Sequence, residues 1–370
     1  MKRNTAVTTL LAIAVVGGAT LAGCGSDDNL NSAGVSGVAP ASTDCSGKNT
    51  LTSEGSTSQQ NAIALFNQTW GKLCRGKNLS YNPTGSGAGR QQFVAGHIDF
   101  AGSDSPLSAT QVAEAEKRCN GNPAWHLPLV FGPIVLAYHL DDVDTLVLNG
   151  AVLAGIFTGA ITDWNDPAIT RLNPGAKLPD TEITPIYRTD SSGTTDNFQQ
   201  YLAAAAPQGW TRGAGSEFQG GVGEGGQKSA GVLQAVRTTP GAIGYVEKGF
   251  VDQAGMRFAQ LDSGDGAVAV TDVAVRVAIE SAQFVAQSSN DLRLNLDSLY
   301  RTNITGAYPL VLATYEIVCS KGYGPDVAAA VRSFLAVAAN DGEDGLSAAG
   351  YVPLPEKFKR RLVTAIDAIQ

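Results

Sequence analysis

The chain contains few of the residues that build metal centres and catalytic nucleophiles. Its 370 residues include three histidines, at positions 97, 126 and 139, and no two of the five cysteines are spaced as C-x-x-C. No serine lies in a G-x-S-x-G sequence. Zinc sites and many hydrolases depend on these spacings. We therefore expect no metal site, no cofactor and no enzymatic activity.

Glycine-rich stretches are present, but none completes a nucleotide-binding motif. Residues 85–89, GSGAG, lack the spacing G-x-G-x-x-G, and Gln227 stands where a Walker sequence requires glycine directly before Lys228 and Ser229. Both motifs need the full spacing for the backbone to enclose a phosphate chain. The sequence therefore gives no support for nucleotide binding.

Basic residues are scarce. The chain has 26 Lys and Arg against 34 Asp and Glu, for a formal charge of -8. If Lys2 and Arg3 are removed with the N-terminus, 24 basic residues remain against 34 acidic ones, and the charge becomes -10. Such a surface repels nucleic acid, so we expect no nucleic-acid partner. A small anion could bind only where backbone dipoles and placed cations overcome this field.

The N-terminus lacks an apolar run long enough to cross a bilayer comfortably, since residues 10–22 are the only such stretch there. This stretch follows Lys2 and Arg3 and ends in LAGC, which resembles the bacterial lipobox. We expect a signal peptide at 1–23, lipidation of Cys24 with palmitate, and a flexible tether at 24–44. The protein would then be held on the extracytoplasmic face of the cell membrane. A plain signal peptide with an incidental cysteine is the alternative.

Four cysteines remain, which is an even number in an exported protein, and they allow three pairings. Cys45 and Cys74 each lie a few residues before a predicted strand, and the starts of parallel neighbouring strands lie together. We therefore favour the disulfides Cys45–Cys74 and Cys119–Cys319. A zinc site is the alternative, although the spacing does not support it.

A short β-like run, a glycine turn and a helical pattern recur along the chain. In the first such unit Ile63, Phe66 and Trp70 follow the turn at helical spacing. Ser108 and Gln111 have the spacing of a capping box for a later helix. Alternating strands and helices indicate an α/β fold with a mostly parallel sheet.

The apolar stretch from Trp125 to His139 is interrupted by Pro128 and Pro133. We expect two strands there, or one broken strand that crosses between domains. A second α/β series follows, and the glycine-rich residues 207–228 are predicted to form a long irregular loop. The chain ends with a strand and two helices. This order predicts two α/β lobes, the first completed by the C-terminal segment.

Three predicted strands end in a run of Gly, Ser and Thr that opens a helix, at residues 54–58, 84–89 and 190–194. Each run presents unpaired backbone N–H groups and lets an oxyanion approach closely. One such run is typical of an ordinary helix cap, but three at the carboxyl edge of a sheet indicate a site for a tetrahedral oxyanion. Arg188 precedes the third run, and Asp190 can orient its guanidinium. A surface ion pair is the alternative.

Five segments resemble those of the phosphate-binding protein of the bacterial phosphate-specific ABC transporter. They are STSQQ, TGSGAGRQQFVAGHIDFAGSDSPL, ITDWNDPAI, RTDSSGT and GAIGYVE, and the likeness spans the mature chain. With the lipobox and the cysteines, the chain most resembles the mycobacterial lipoprotein members. The resemblance implies a two-lobe periplasmic-binding-protein-like fold of type II, with a crossover hinge. Each lobe would be a central mixed sheet flanked by helices.

The resemblance also implies lobe boundaries and a set of ligand residues. Lobe 1 is expected at 45–132 plus 303–370, and lobe 2 at 133–302. Carried over by position, the phosphate-binding residues are Thr57, the Ser58 amide, Ser86 and Asp104 from lobe 1, and Arg188, Ser192, Gly193 and Thr194 from lobe 2. Position 58 departs from relatives that have an aromatic residue there, which puts in doubt a role for the ring in covering the ligand.

Asp104 needs a reason to face an anion. At ~4 Å and an effective dielectric of ~20, two like charges repel by about 4 kcal/mol. A protonated phosphate oxygen can donate a hydrogen bond to the carboxylate, whereas sulfate, which is fully ionised at neutral pH, cannot. The alternative is that Asp104 only caps the helix beyond Pro106.

We therefore expect a monomeric lipoprotein that captures inorganic phosphate between two lobes and delivers it to the transmembrane subunits of an ABC permease. Three alternatives remain: a binding protein for another oxyanion such as sulfate or molybdate, a phosphate-releasing hydrolase, and a structural or adhesive surface protein. Asp104 argues against the first, the missing metal site and nucleophile against the second, and the three anion turns against the third.

Overall fold

A computed structural model describes residues 43–301 and 304–370. The predicted signal peptide at 1–23, Cys24 and nearly all of the predicted tether at 24–44 lie outside these residues. The strands in the described ranges are β1 (Thr50–Gly55), β2 (Asn78–Asn82), β3 (Phe100–Ser103), β4 (Ala124–Tyr138), β5 (Val147–Asn149), β6 (Thr184–Arg188), β7 (Glu224–Gly226), β8 (Ala242–Glu247), β9 (Arg257–Phe258), β10 (Gln260–Asp262), β11 (Ala267–Val268), β12 (Gln283–Phe284), β13 (Leu294–Asn295) and β14 (Val311–Cys319).

Helices alternate with these strands, as the sequence predicts. Those in the described ranges are α1 (Gln60–Leu73), α2 (Ser86–Val94), α3 (Ala109–Arg118), α4 (Gly150–Thr158), α5 (Pro167–Leu172), α6 (Gly193–Ala205), α7 (Lys228–Thr238), α8 (Lys248–Ala254), α9 (Asp272–Ser281), α10 (Leu296–Tyr300), α11 (Pro325–Asp341) and α12 (Glu356–Asp367). No helix in this part of the chain is long and apolar enough to cross a membrane.

A nine-stranded mixed sheet organises the fold, in the order β2-β1-β3-β14-β4-β8-β6-β7, with β9 also paired to β4. The outer strands pair in parallel, as expected for strands joined by crossover helices. The central pairings of β14 and β4 are antiparallel. The prediction of a mostly parallel sheet is therefore correct for the βα units and wrong at the centre, because β14 returns from the end of the chain.

One long strand, β4, links the two halves of this sheet. Residues 124–133 pair with β14, and residues 134–138 pair with β8. The predicted break is instead a bulge beside Pro128 and a change of partner after Pro133, two places where a missing N–H is tolerated. We call β2, β1, β3, β14 and residues 124–133 the first half, and residues 134–138, β8, β6 and β7 the second half.

Helix α1 shows how the sequence pattern becomes packing. Its residues Ile63, Phe66 and Trp70 are buried, as their helical spacing predicts. The Trp70 indole N–H donates to Ser333 Oγ at 2.9 Å, and its ring meets Phe334 edge to face. These contacts fix α1 against α11, so truncation of Trp70 to alanine would cost about 3–5 kcal/mol. The capping box of Ser108 and Gln111 on α3 is also present.

Both predicted disulfides are present. Cys45 is bonded to Cys74, and Cys119 to Cys319. The first bond follows from the parallel pairing of β1 and β2, whose first residues are in register. The second joins the C-terminus of α3 to the end of β14. Both bonds therefore lie in the first half.

Candidate anion-binding site

Four helices begin where strands of the two halves end, each shortly after its strand. Helices α1 and α2 follow β1 and β2 in the first half, and α6 and α7 follow β6 and β7 in the second, whose strands run in the opposite direction, so that the carboxyl ends of the two sets point toward each other. Asp104 immediately follows β3 in the first half. The N-cap residues of α1, α2 and α7 provide no side-chain cap. Positive helix ends and N–H groups of both halves therefore face one region.

Asp104 is enclosed by hydroxyl groups. Its Oδ1 accepts hydrogen bonds from Ser56 Oγ at 2.6 Å, Ser58 Oγ at 2.7 Å and Thr314 Oγ1 at 2.7 Å. Its Oδ2 accepts from Ser86 Oγ at 3.0 Å, and Asp104 is 2% exposed. A carboxylate with this many donors is firmly held and can still accept at Oδ2. Asp104 therefore does more than cap the helix beyond Pro106, whose N-cap is Ser108.

Thr57 and Ser58 precede α1 and point in different directions. The Ser58 N–H donates to Ser56 Oγ at 3.1 Å, and the Ser58 hydroxyl bonds Asp104. Thr57 Oγ1 lies 2.7 Å from Ser229 Oγ, which belongs to α7 in the second half. Ser58 therefore acts on Asp104 through its side chain, while Thr57 spans the two halves.

Arg188 ends β6 and is 3% exposed. Its Nε donates to Asp190 Oδ1 at 2.8 Å, its Nη2 donates to Asp190 Oδ2, and its Nη1 lies 3.3 Å from both Thr194 Oγ1 and Ser229 Oγ. Burial alone would lower the pKa of Arg188, but the paired Asp190 carboxylate outweighs it and raises that pKa. Burial alone would raise the pKa of Asp190, but the hydrogen bond and charge of Arg188 outweigh it and lower that pKa. This buried, bidentate pair excludes the alternative of a surface ion pair.

The segment from Ser192 to Thr194 forms the N-terminus of α6. Ser192 caps the helix by accepting from the Thr195 N–H at 3.2 Å. A Cβ on Gly193 would lie 2.5 Å from Asp104 Cβ and 2.6 Å from Ser86 Oγ, so only glycine fits there. Thr194 Oγ1 donates to Glu247 Oε1 at 2.5 Å. The start of α6 is thus pressed against the first half.

Further hydrogen bonds join the two halves around the site. Asn197 Nδ2 donates to the Asp104 carbonyl at 2.7 Å, and the Gly87 N–H donates to the Ser191 carbonyl at 3.0 Å. Arg90 Nη2 donates to Ser216 Oγ at 2.9 Å. The structure therefore brings all eight predicted ligand residues together, and each of them is buried.

Sequence reasoning missed four residues of this region: Ser56, Ser229, Glu247 and Thr314. Ser229 follows the glycine-rich run that fails as a Walker motif, and that run before a helix was its signal. Glu247 ends the segment GAIGYVE, and burial raises its pKa, opposed by Arg188. Thr314 lies inside an apolar strand and carries no local signal.

The arrangement can bind an anion but lacks a metal centre. Hydroxyls, helix N-termini and Arg188 supply donors, and Asp104 Oδ2 supplies an acceptor beside them. Within residues 43–301 and 304–370, no group of three His, Cys, Asp or Glu could hold a metal ion. Such a set suits an oxyanion that has both acceptor oxygens and a proton.

The chain belongs to the PBP superfamily, whose domain model matches residues 38–341. Two relatives from Mycobacterium tuberculosis strain H37Rv are 46% and 44% identical: phosphate-binding protein PstS 3, aligned over 96% of this chain and 97% of its own length, and PstS 2, over 99% of each. PstS from Xylella fastidiosa is 30% identical over 98% of both chains. The chain belongs to the PstS family of phosphate-binding proteins, and this membership confirms that it is a binding protein and not an enzyme.

Solved structures support the fold. The phosphate-bound periplasmic phosphate-binding protein PfluDING matches with a TM-score of 0.69 at 22% identity, over 85% of this chain and 93% of that one. The phosphate-binding protein from Stenotrophomonas maltophilia matches with a TM-score of 0.65 at 19% identity, over 86% and 94%. These likenesses confirm the predicted α/β, periplasmic-binding-protein-like fold class.

Proposed function

We propose that the chain captures inorganic phosphate between two lobes and delivers it to an ABC permease for import. The lobes would comprise 45–132 plus 303–370, and 133–302. The ligand residues would be those carried over from the family: Thr57, Ser58, Ser86, Asp104, Arg188, Ser192, Gly193 and Thr194. The names of the relatives and of the solved structures support this ligand.

One observation carries the proposal most strongly: a buried carboxylate lies among hydrogen-bond donors. Asp104 Oδ2 accepts from Ser86 and lies beside the start of α6. Hydrogen phosphate can give its proton to this oxygen while its other oxygens accept from Arg188, hydroxyls and N–H groups. Sulfate has no proton to give, so the carboxylate would repel it by about 4 kcal/mol at ~4 Å and a dielectric of ~20.

Closure of the lobes would join the two groups of ligand residues around one anion. The hydrogen bonds from Thr57 to Ser229 and from Asn197 to Asp104 already connect the halves. A ligand held by both groups favours the closed arrangement over an open one, because only that arrangement offers it all the contacts. Residues 133 and 134, where β4 changes partner, are the natural hinge.

The lipid anchor belongs to the same proposal. Cleavage before Cys24, with lipid on its thiol and palmitate among the attached fatty acids, would hold a monomer on the extracytoplasmic face of the membrane, beside the permease. When the chain is expressed in a mycobacterial host, labelled palmitate should be incorporated into the unaltered chain and should not be incorporated into the Cys24→Ser variant. Label that remains in the variant would refute lipidation at Cys24.

Calorimetric titration of the mature chain without lipid tests the ligand. We expect phosphate to bind and sulfate to compete at least about 1000-fold less well, a difference of about 4 kcal/mol. Asp104→Asn should reduce this ratio, because an amide offers sulfate a donor in place of a charge. Equal binding of phosphate and sulfate by the unaltered chain would instead favour a general oxyanion carrier, and no heat with either anion would refute the proposal.

A further inference from the structure

We infer that Ser56, Ser58 and Thr314 act together as positioning residues that fix the rotation of the Asp104 carboxylate and thereby set anion selectivity. We call these three side chains the hydroxyl triplet. The inference rests on the proposed function, because it assigns the residues that control its selecting group. None of the three hydroxyls was expected from the sequence to act on Asp104.

The two carboxylate oxygens of Asp104 have unequal surroundings. Oδ1 receives all three hydroxyls of the triplet at 2.6–2.7 Å. Oδ2 receives only Ser86 Oγ, at 3.0 Å, and it faces the start of α6, where a Cβ on Gly193 would lie 2.8 Å away. Since each oxygen has about two lone pairs, Oδ1 is saturated and Oδ2 keeps capacity to accept. The triplet therefore turns the free acceptor toward the site.

The triplet itself is anchored from three directions. Tyr81 OH donates to the Ser56 carbonyl at 2.6 Å, and Tyr351 OH donates to the Ser58 carbonyl at 2.6 Å. Thr314 stands at the register shift between β14 and β4, and a bulge re-aims side chains at such a point. The hydroxyls are also 2.6 Å and 3.1 Å apart, Ser56 to Ser58 and Ser58 to Thr314. Supports of this kind preorganise a binding group.

A fixed rotation matters because Asp104 is useful in only one orientation. If the carboxylate turned, Oδ2 would leave the ligand proton, and the like charges would face each other without a hydrogen bond. The role of Ser58 also explains the departure at position 58. A phenylalanine ring there could not donate to Asp104, whereas the Ser58 hydroxyl supplies a donor at this position.

Competition binding on the full mature chain tests the triplet, with labelled phosphate displaced by phosphate, arsenate or sulfate. Ser58→Ala and Thr314→Val should each weaken phosphate and arsenate binding about 10- to 100-fold, in line with loss of a hydrogen bond to a charged group. Sulfate should compete as before, so the ratio of phosphate to sulfate affinity should fall by the same factor. Ser58→Thr and Thr314→Ser should restore the ratio.

Ser53→Ala is the matched control, because Ser53 is 2% exposed and its Oγ has no hydrogen-bond partner among the described residues. It should leave both affinities unchanged. Thermal melting of each variant without phosphate identifies any variant that fails to fold. If Ser58→Ala or Thr314→Val fails to fold, Ser56→Ala is tested in its place. Affinities within twofold of the unaltered chain in the folded variants would overturn the inference. If Asp104→Asn also leaves selectivity intact, the proposed function itself fails.

Discussion

The two halves of the site carry opposite charges at their centres. In the first half the buried anion Asp104 is held by neutral hydroxyls, and in the second the buried cation Arg188 is held by Asp190. Under the proposed function, the first arrangement would reject an anion that has no proton, and the second would attract any anion. Selection and attraction would then be separated between the halves, so substitutions should affect them separately.

The halves also differ in covalent support, and this difference should give the largest effect. Both disulfides lie in the first half and close loops of 29 and 200 residues. Loss of Cys119–Cys319 through a double alanine variant should lower the free energy of unfolding by about 5 kcal/mol, and loss of Cys45–Cys74 by about 4 kcal/mol, because the longer loop constrains the unfolded chain more. Denaturant unfolding measures both. After loss of Cys45–Cys74, whose loop lies in the first half, hydrogen exchange should rise mainly there, and an equal rise in both halves would contradict the separation.

Arg188→Met should come next, because it leaves Asp190 buried without its cation. We expect phosphate affinity to fall about 1000-fold, or about 4 kcal/mol, with phosphate and sulfate affected alike. Arg188→Lys keeps the charge without the bidentate geometry and should lose less. Calorimetry separates the two variants. A change in the ratio of phosphate to sulfate affinity in either variant would mean that the second half also discriminates between the two anions.

Glu316 in the first half and Glu247 in the second are both buried, and they should contribute differently to the pH dependence of the free energy of unfolding. Burial raises the pKa of Glu316 to about 8 from 4.5, and a hydrogen bond with Gln59 opposes this shift only in part. Folded Glu316 therefore keeps a proton that the unfolded chain loses, so the free energy of unfolding should fall by on the order of 3 kcal/mol from about pH 5 to pH 8. Glu316→Gln should flatten that slope, and Glu247→Gln should change it less because Arg188 opposes the shift.

The smallest effect concerns Ser229, whose hydroxyl joins Thr57 to Arg188 across the halves. Ser229→Ala should weaken phosphate about 5- to 10-fold, chiefly through faster dissociation, since one neutral hydrogen bond contributes about 1 kcal/mol. Stopped-flow kinetics with a fluorescent label at the rim measures this. Ser53→Ala again serves as the control, and a change only in the association rate would place Ser229 outside the closed contact.

The second half of the site was largely predictable because its groups are neighbours in sequence. Arg188, Asp190 and the start of α6 lie within seven residues, and α6 begins at Gly193, inside the run at 190–194 that was predicted to open a helix. Its local hydrogen bonds, the Ser192 cap and the Arg188–Asp190 pair, follow from short-range geometry. The remaining contributor, Ser229, comes from a distant helix and was missed as a ligand neighbour.

The first half was only partly predictable because it is assembled from distant strands. Ser58 and Asp104 are 46 residues apart, and Ser58 and Thr314 are 256 apart. Thr314 lies in an apolar strand, and the direction of its hydroxyl can be predicted only once the bulge in the β14–β4 pairing is known. The small sheet of β5, β10 and β11 escaped prediction for another reason, since strands of two or three residues show no periodicity.

Strand β4 has a mechanical consequence for the whole molecule. Because the same strand pairs with β14 in the first half and β8 in the second, neither half can slide along it without breaking ladder bonds. If the lobes close on phosphate as proposed, torsion near residue 133 would be the motion that β4 still allows. A small twist there would become a large displacement at the far rim of each half, so the capture of one small anion would change the outline that a much larger partner could sense.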